Sequence, residues 1–208
     1  MTPRRPAAPL DRRRYRPAAP HHVLVTIDPG GDLCGVAVWL VSPAEAAGRL
    51  LGAAWLPVAE VVAYADGLAR QVERAAAPPR PLAWSWVVEV PHLRGDSHAT
   101  RSGVDALLRT LRTLRDGARL RPRRLTWAEH RPSRWKGNVP KPIHHARIAR
   151  FLSDAERALL PAGALDAEAG AKGGYQPDRA DAIGIGIWVL GRSDRGGTLP
   201  KGGGEPAS

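Results

Sequence analysis

Three apolar runs in this 208-residue chain each carry an isolated acid, and that pattern constrains the fold more than any other feature. The first is His22-Val23-Leu24-Val25-Thr26-Ile27-Asp28-Pro29-Gly30. The second is Trp86-Val87-Val88-Glu89-Val90-Pro91. The third opens with Asp178-Arg179-Ala180-Asp181-Ala182-Ile183 and stays apolar to Leu190. Burying a carboxylate is costly unless it is paired or bound to a metal. Three such segments spread along one chain point to a single site where carboxylates converge.

Length and composition set the frame for that site. The chain is long enough for one domain with a substantial core and short for two. It holds 31 Lys and Arg against 20 Asp and Glu, a net charge of +11. Residues 1–20 contribute six Arg and one Asp; residues 101–150 contribute fourteen Lys or Arg and three acids. A folded segment with that much positive charge suggests a polyanionic partner, most simply nucleic acid. Cys34 is the only cysteine, which excludes an intrachain disulfide and a Cys-based zinc site. That usage fits a reducing, cytoplasmic setting. No apolar run reaches the ~18–20 residues of a membrane span, and the basic N-terminus lacks the apolar stretch of an export signal.

The apolar pattern predicts an order of elements. Residues 1–20, rich in Arg, Pro and Ala, read as a disordered basic tail, and the Gly-rich residues 192–208 as a second disordered tail. Between them, residues 21–191 read as one domain. Strands are expected at 22–28, with Val23, Val25 and Ile27 on one face, at 35–41 and at 50–56, forming an antiparallel meander. Val61, Ala65, Leu68 and Val72 recur at helical spacing. Residues 84–90 read as a fourth strand. Val104, Leu107, Leu108, Leu111 and Leu114 mark a second helix, whose other face carries Arg109, Arg112, Arg115 and Arg119. A short strand follows at 125–128 and a helix at 143–152. Ser153-Asp154-Ala155-Glu156 has the form of a capping box. Residues 161–175, small and Gly/Ala-rich, read as a mobile connection, and the last helix spans 177–190 with Pro177 in its first turn. Three antiparallel strands followed by alternating helices and strands make an α/β layered fold with a mixed sheet.

Asp28 ends the first strand and Glu89 nears the end of the fourth. Asp178 and Asp181, three apart on a helix, share a face. Each acid taken alone has an ordinary reading: a turn for Asp28, an Arg partner for Glu89, and the helix dipole for Asp178 and Asp181. Together they form an oxygen-rich set suited to two hard cations, Mg²⁺ with Mn²⁺ as a substitute. Such a pair, ~3.5–4 Å apart, supports phosphodiester hydrolysis.

The segments Ile27-Asp28-Pro29-Gly30, Val88-Glu89-Val90-Pro91 and Asp178-Arg179-Ala180-Asp181-Ala182, in that order, resemble the RuvC-type Holliday junction resolvases of the ribonuclease H-like superfamily. The segment Arg134-Trp135-Lys136-Gly137-Asn138-Val139-Pro140-Lys141 is closer to phage-type and divergent members. The resemblance covers roughly residues 22–191. It implies a five-stranded mixed sheet flanked by helices, a homodimer, and Mg²⁺-dependent nicking of branched DNA, with Asp28, Glu89, Asp178 and Asp181 as the metal-binding, catalytic acids. The loop after Glu89, His92-Leu93-Arg94-Gly95-Asp96-Ser97-His98, has none of the aromatics that the family usually carries there.

Arg94, Arg131, Arg134, Lys136 and Lys141 are expected to contact nucleic acid, with Lys136 and Lys141 clamping phosphates beside the metals. Trp135 has two readings, a core anchor or part of that basic loop. His144 and His145 are expected to divide, one packed and one solvated. The remaining Trp residues read mostly as core. A related nuclease acting on flaps, forks or structured RNA, and a non-catalytic nucleic-acid-binding module, remain open as rivals.

Overall fold

The computed structural model describes residues 22–30, 32–42, 47–76, 82–90, 98–120, 125–132, 135–136, 139–168, 170 and 174–192. Five strands, β1 (His22–Pro29), β2 (Leu33–Val41), β3 (Arg49–Pro57), β4 (Ala83–Glu89) and β5 (Leu125–His130), form one sheet in the order β3-β2-β1-β4-β5. The first three strands pair antiparallel, whereas β4 lies parallel to β1 and β5 parallel to β4. Among the described residues, five helices accompany the sheet: α1 (Val58–Ala76), α2 (His98–Arg119), α3 (Lys141–Arg150), α4 (Asp154–Arg157) and α5 (Pro177–Val189). The mixed five-stranded sheet flanked by helices is the one expected from the apolar pattern. Among the described residues no helix is long and apolar enough to cross a membrane. The two tails lie outside the described residues, with one exception at Arg192.

Strand alternation sends the central side chains to two separate cores. Val23, Val25 and Ile27 of β1 join Trp84, Trp86 and Val88 of β4 against Val61, Ala65 and Ala69 of α1 and Leu111 and Leu114 of α2. Leu24 of β1 and Val87 of β4 face the other way, toward Ile183, Ile185 and Ile187 of α5 and Ile148 of α3. Both central strands are therefore apolar on both sides, as strands covered by helices must be. The α2 stripe is buried at Leu111, Leu114 and Ala118, whereas Leu108, expected on that face, is 43% exposed. It precedes Leu111 by three residues, but Leu111, Leu114 and Ala118 centre the buried arc away from it. Trp55 also departs from the expected core placement, being 39% exposed near the end of edge strand β3.

Helix α5 sits unusually close to the sheet. Its sequence alternates Ile183-Gly184-Ile185-Gly186-Ile187, although glycine in a helix interior costs about 1 kcal/mol relative to Ala. A Cβ on Gly186 would stand 2.2 Å from Trp39 Nε1, and one on Gly35 of β2 would stand 1.9 Å from the Asp178 carbonyl oxygen. Backbone on one side or the other has to be bare for the layers to meet. The buried Thr26 hydroxyl closes the contact: it donates to the Ala182 carbonyl (2.7 Å) and accepts from Trp39 Nε1 (3.2 Å).

The capping box at Ser153 is present as expected, and its Glu156 does a second task. Glu156 accepts from Leu50 N at 2.8 Å and from the Arg192 guanidinium at 2.7 and 2.9 Å. Arg192 also donates to the carbonyls of Ala47, Gly48 and Phe151 and lies over the Trp39 ring. Arg192 thus belongs to the folded domain rather than to the C-terminal tail, because its five-donor head satisfies carbonyls that would otherwise be stranded. Residues 161–168 run through turns, such as that closed by Ala164 N to Pro161 O (3.0 Å), and not as a featureless link.

Two outcomes follow from these contacts. Although burial alone would raise it, the Glu156 pKa is drawn down to about 2 from its usual 4.5 by Arg192 and the backbone donors. The depressed carboxylate stabilises the fold above pH ~4.5, and that contribution is lost as pH falls through ~2. Arg192→Met is expected to cost about 3 kcal/mol at pH 7 in urea unfolding, with the gap to wild type narrowing across that acidic window. Gly35→Ala is expected to lose about 1–3 kcal/mol through overpacking against α5, read as a lowered melting temperature.

Candidate active site

The alternation that divides the core also places the acids. Asp28 shares the parity of Leu24 and Thr26, and Glu89 that of Ser85 and Val87, so both side chains leave the sheet on the α5 side. Ile27 pairs with Val88 across the parallel β1–β4 contact, which sets Asp28 and Glu89 side by side at the carboxyl ends of adjacent strands. The first turns of α5 supply Asp178 and Asp181. Gly30, just past β1, comes within reach of the second of these segments: a Cβ there would lie 3.2 Å from Asp178 Oδ2. All four predicted acids are thus brought to one end of the sheet from three elements far apart in sequence.

Their environments differ. Asp181 is fully buried and Glu89 is 6% exposed, while Asp28 and Asp178 are half-buried. Glu89 accepts a hydrogen bond from Trp135 Nε1 at 2.7 Å through one oxygen and faces Lys136 Nζ at 3.3 Å through the other. Asp181 Oδ2 lies 3.1 Å from Lys136 Nζ and 3.4 Å from Lys141 Nζ. Asp181 Oδ1 meets His145 Nε2 at 2.9 Å, and His145 Nδ1 in turn meets the Tyr175 hydroxyl at 2.6 Å. Neither Asp28 nor Asp178 has a hydrogen bond or ion pair to its carboxylate among the described residues.

The proton affinities record this division. The Asp28 carboxyl is held well above the usual carboxylate range, first by burial and then by Glu89, Asp181 and Asp178, with Lys136 offsetting part of the effect. Glu89 is also raised, by burial, against the pull of Lys136 and the Trp135 bond. Burial pushes Asp181 the same way, but the His145 hydrogen bond and the Lys136 charge outweigh it and leave its pKa depressed. For Lys136, burial opposes the charged form, yet the attraction of Glu89 and Asp181 leaves its affinity for the proton raised. A cluster of hard oxygen donors that repel one another around Asp28 suits Mg²⁺ or Mn²⁺ rather than a soft metal. Among the described residues no three acidic or histidine side chains form a ready cation cage. Among the described residues, the acids of the site without a partner are Asp28 and Asp178.

Of the predicted nucleic-acid contacts, Lys136 and Lys141 join the site. Arg131 is exposed just beyond β5, one residue after His130, which pairs with Glu89. Arg94 and Arg134 lie outside the described residues, as does the loop from His92 to Ser97. The Arg109, Arg112, Arg115 and Arg119 face is solvent-exposed on α2, which packs on the opposite side of the sheet from the acids. The expectation for the His pair is corrected: His145 is fully buried beside Asp181, and His144 packs against the Trp135 ring with centroids 4.9 Å apart. His144 is only half-buried, but burial still lowers its pKa to about 4 and favours the neutral form. Trp135 combines its two readings, being packed beside the α5 layer while donating to Glu89. Tyr175 and Thr26 are site supports that sequence reasoning missed. The one available signal for Tyr175 was its place three residues before Asp178.

The strand order, with three antiparallel strands followed by two parallel ones and an acid on β1, β4 and the last helix, defines an α/β protein with a mixed five-stranded sheet and its acids at one end. No family profile and no curated protein sequence matches this chain. Solved structures similar to it include the following three. The RuvC of Thermus thermophilus is 18% identical, with 83% of this chain and 96% of that one covered and a TM-score of 0.42. A Fowlpox virus resolvase in complex with Holliday junction DNA is 11% identical, with 81% and 97% covered and a TM-score of 0.43. A yeast mitochondrial Holliday junction resolvase is 9% identical, with 88% and 86% covered and a TM-score of 0.44.

Asp28 sits among like charges in the folded state and gains nothing in stability from its own. Asp28→Asn is expected to raise the metal-free protein's stability at neutral pH by about 1 kcal/mol, read as an increase in melting temperature.

Proposed function

We propose that this protein is a Mg²⁺-dependent endonuclease that cuts phosphodiester bonds in branched DNA. The observation that carries this reading is the convergence of Asp28, Glu89, Asp178 and Asp181 at one end of the sheet, with two lysines alongside. A site made only for structure would be expected to neutralise its acids fully, whereas the half-buried Asp28 and Asp178 have no partner among the described residues. The branched substrate comes from the resemblance of the ordered acids to RuvC-type resolvases, as does the expectation of a homodimer that presents two such sites.

When bound, a divalent cation supplies a water of lowered pKa and a positive charge beside the scissile phosphate. The protein's own groups do the rest. Asp28 and Asp178 would hold the cation through carboxylate oxygens. The Trp135 indole and the His145 imidazole keep Glu89 and Asp181 in fixed rotamers, so that the site is organised before substrate arrives. Lys141, with its side chain 53% exposed, has donors to spare for a backbone phosphate. Arg131 lies at the same sheet end and extends the positive surface.

A second reading, a flap, fork or RNA nuclease on the same site, is favoured by the absence of an aromatic from the 92–98 segment. Labelled four-way junction, fork, flap, duplex DNA and structured RNA, each incubated with Mg²⁺, separate the readings. Preferential cutting of the junction, with Asp28→Asn and Asp181→Asn slower by about 100-fold or more, is the expected result. Equal cutting of all branched forms would replace the junction reading with the broader one. Variants that cut as well as wild type would remove these acids from the chemistry, and salt-sensitive binding without cleavage of any substrate would leave a binding module.

A further inference from the structure

Every carboxylate oxygen of Glu89 and Asp181, the two acids of the site least exposed to solvent, already has a partner in the protein. Each oxygen of Glu89 has a partner, Trp135 Nε1 at 2.7 Å on one and Lys136 Nζ at 3.3 Å on the other. Each oxygen of Asp181 has one too, His145 Nε2 at 2.9 Å and Lys136 Nζ at 3.1 Å, with Lys141 behind it at 3.4 Å. Lys136 therefore bridges a carboxylate from β4 and a carboxylate from α5, as a shared metal ion would. Its ammonium is largely enclosed, with the side chain 16% exposed. It also lies over the Trp135 ring, 4.9 Å from the centroid, in a second contact favourable to a cation. Such an ammonium is not a loose surface lysine that strays into the site.

Asp28 and Asp178 form the other half. They are half-buried, their carboxylates have no partner among the described residues, and Gly30 brings their segments into contact. Charge counting agrees with this division. With a cation bound and all four carboxylates ionised, the two ammoniums among the described residues leave two negative charges, which one divalent cation balances. A second cation would place two excess positive charges in a largely buried site, where uncompensated charge is expensive.

We propose that the site takes one divalent cation, on Asp28 and Asp178, and that the Lys136 ammonium stands where a second cation would otherwise bridge Glu89 and Asp181. The inference deepens the nuclease reading and takes its functional meaning from it. It narrows the two-ion expectation to one metal ion and one resident organic cation. It also assigns Lys136 a role distinct from that of Lys141: Lys136 is a fixed part of the site, and Lys141 is a phosphate donor.

The test is Mn²⁺ stoichiometry on the full chain, by calorimetric titration with electron paramagnetic resonance of the same samples, alongside junction cleavage. Wild type is expected to bind one Mn²⁺ per chain with an uncoupled spectrum. Lys136→Met, close to the lysine in shape, is expected to bind two with a spin-coupled pair signal, and Lys136→Arg to stay at one. Asp178→Asn is expected to weaken the wild-type ion by at least tenfold. Two coupled ions in wild type would overturn the inference, whether or not Lys136→Met folds. If such a two-ion protein still cut junctions, the nuclease reading would stand without it. One ion and no cleavage of any nucleic acid would keep the single-cation site and remove the nuclease reading, and no ion at all would remove both.

Discussion

The site depends on how closely α5 can approach the sheet. A helix crossing a sheet at ordinary spacing would hold Asp178 and Asp181 too far from Asp28 and Glu89 to share a cation or a lysine. Here the Asp178 carbonyl lies where a Gly35 Cβ would have to be, and the Trp39 indole lies where a Gly186 Cβ would be. Both contacts remove side-chain bulk from the interface and bring backbone to bare backbone or to a ring. The Thr26 hydroxyl then fixes the helix along its axis by bonding the Ala182 carbonyl. Glycine lowers the intrinsic stability of α5, and the packing it permits offsets that loss.

Given that approach, the acids fall into two pairs with different electrostatic fates. Glu89 and Asp181 lie deep, and each is tied to a nitrogen donor whose own position is packed: Trp135 against His144, and His145 against Tyr175. Asp28 and Asp178 lie nearer solvent, and their carboxylates have no hydrogen-bond or ion-pair partner among the described residues. Lys136 links the two pairs electrostatically, being close enough to lower the proton affinity of Asp28 without bonding to it. The arrangement resembles a metal site in which part of the positive charge has been built into the chain. It is rigid at the buried end and open at the end where a phosphate would enter.

Much of the fold was legible because the signals were local. Period-two alternation with apolar residues on both faces marked β1, β2 and β4, and the helical period marked α1 and α5. The capping box at Ser153 specified the start of α4 to the residue. What was less legible depended on neighbours distant in sequence. Leu108 and Trp55 are apolar yet exposed, since hydrophobicity alone does not say which flank of an amphipathic element faces the core. Arg192 looked like the start of a polar tail, and only the carbonyls of Ala47, Gly48 and Phe151, brought together by β3 and α3, make it structural. His144 and His145 could not be distinguished by adjacency. Their roles follow from the rotation of α3 against α5, which turns one toward Asp181 and the other toward Trp135.

By itself, the sequence determined which residues carry the charge, which strand or helix each rides on, and which face of β1 and β4 it leaves from. Those properties follow from chain periodicity and from the high cost of placing an acid in an apolar run. The tertiary structure alone decided which acids are paired from within the protein and which have no partner among the described residues. That outcome turns on a lysine ammonium about 3 Å from two carboxylates supplied by different elements. Electrostatic energy depends on distance and burial, and neither is written in the order of the residues.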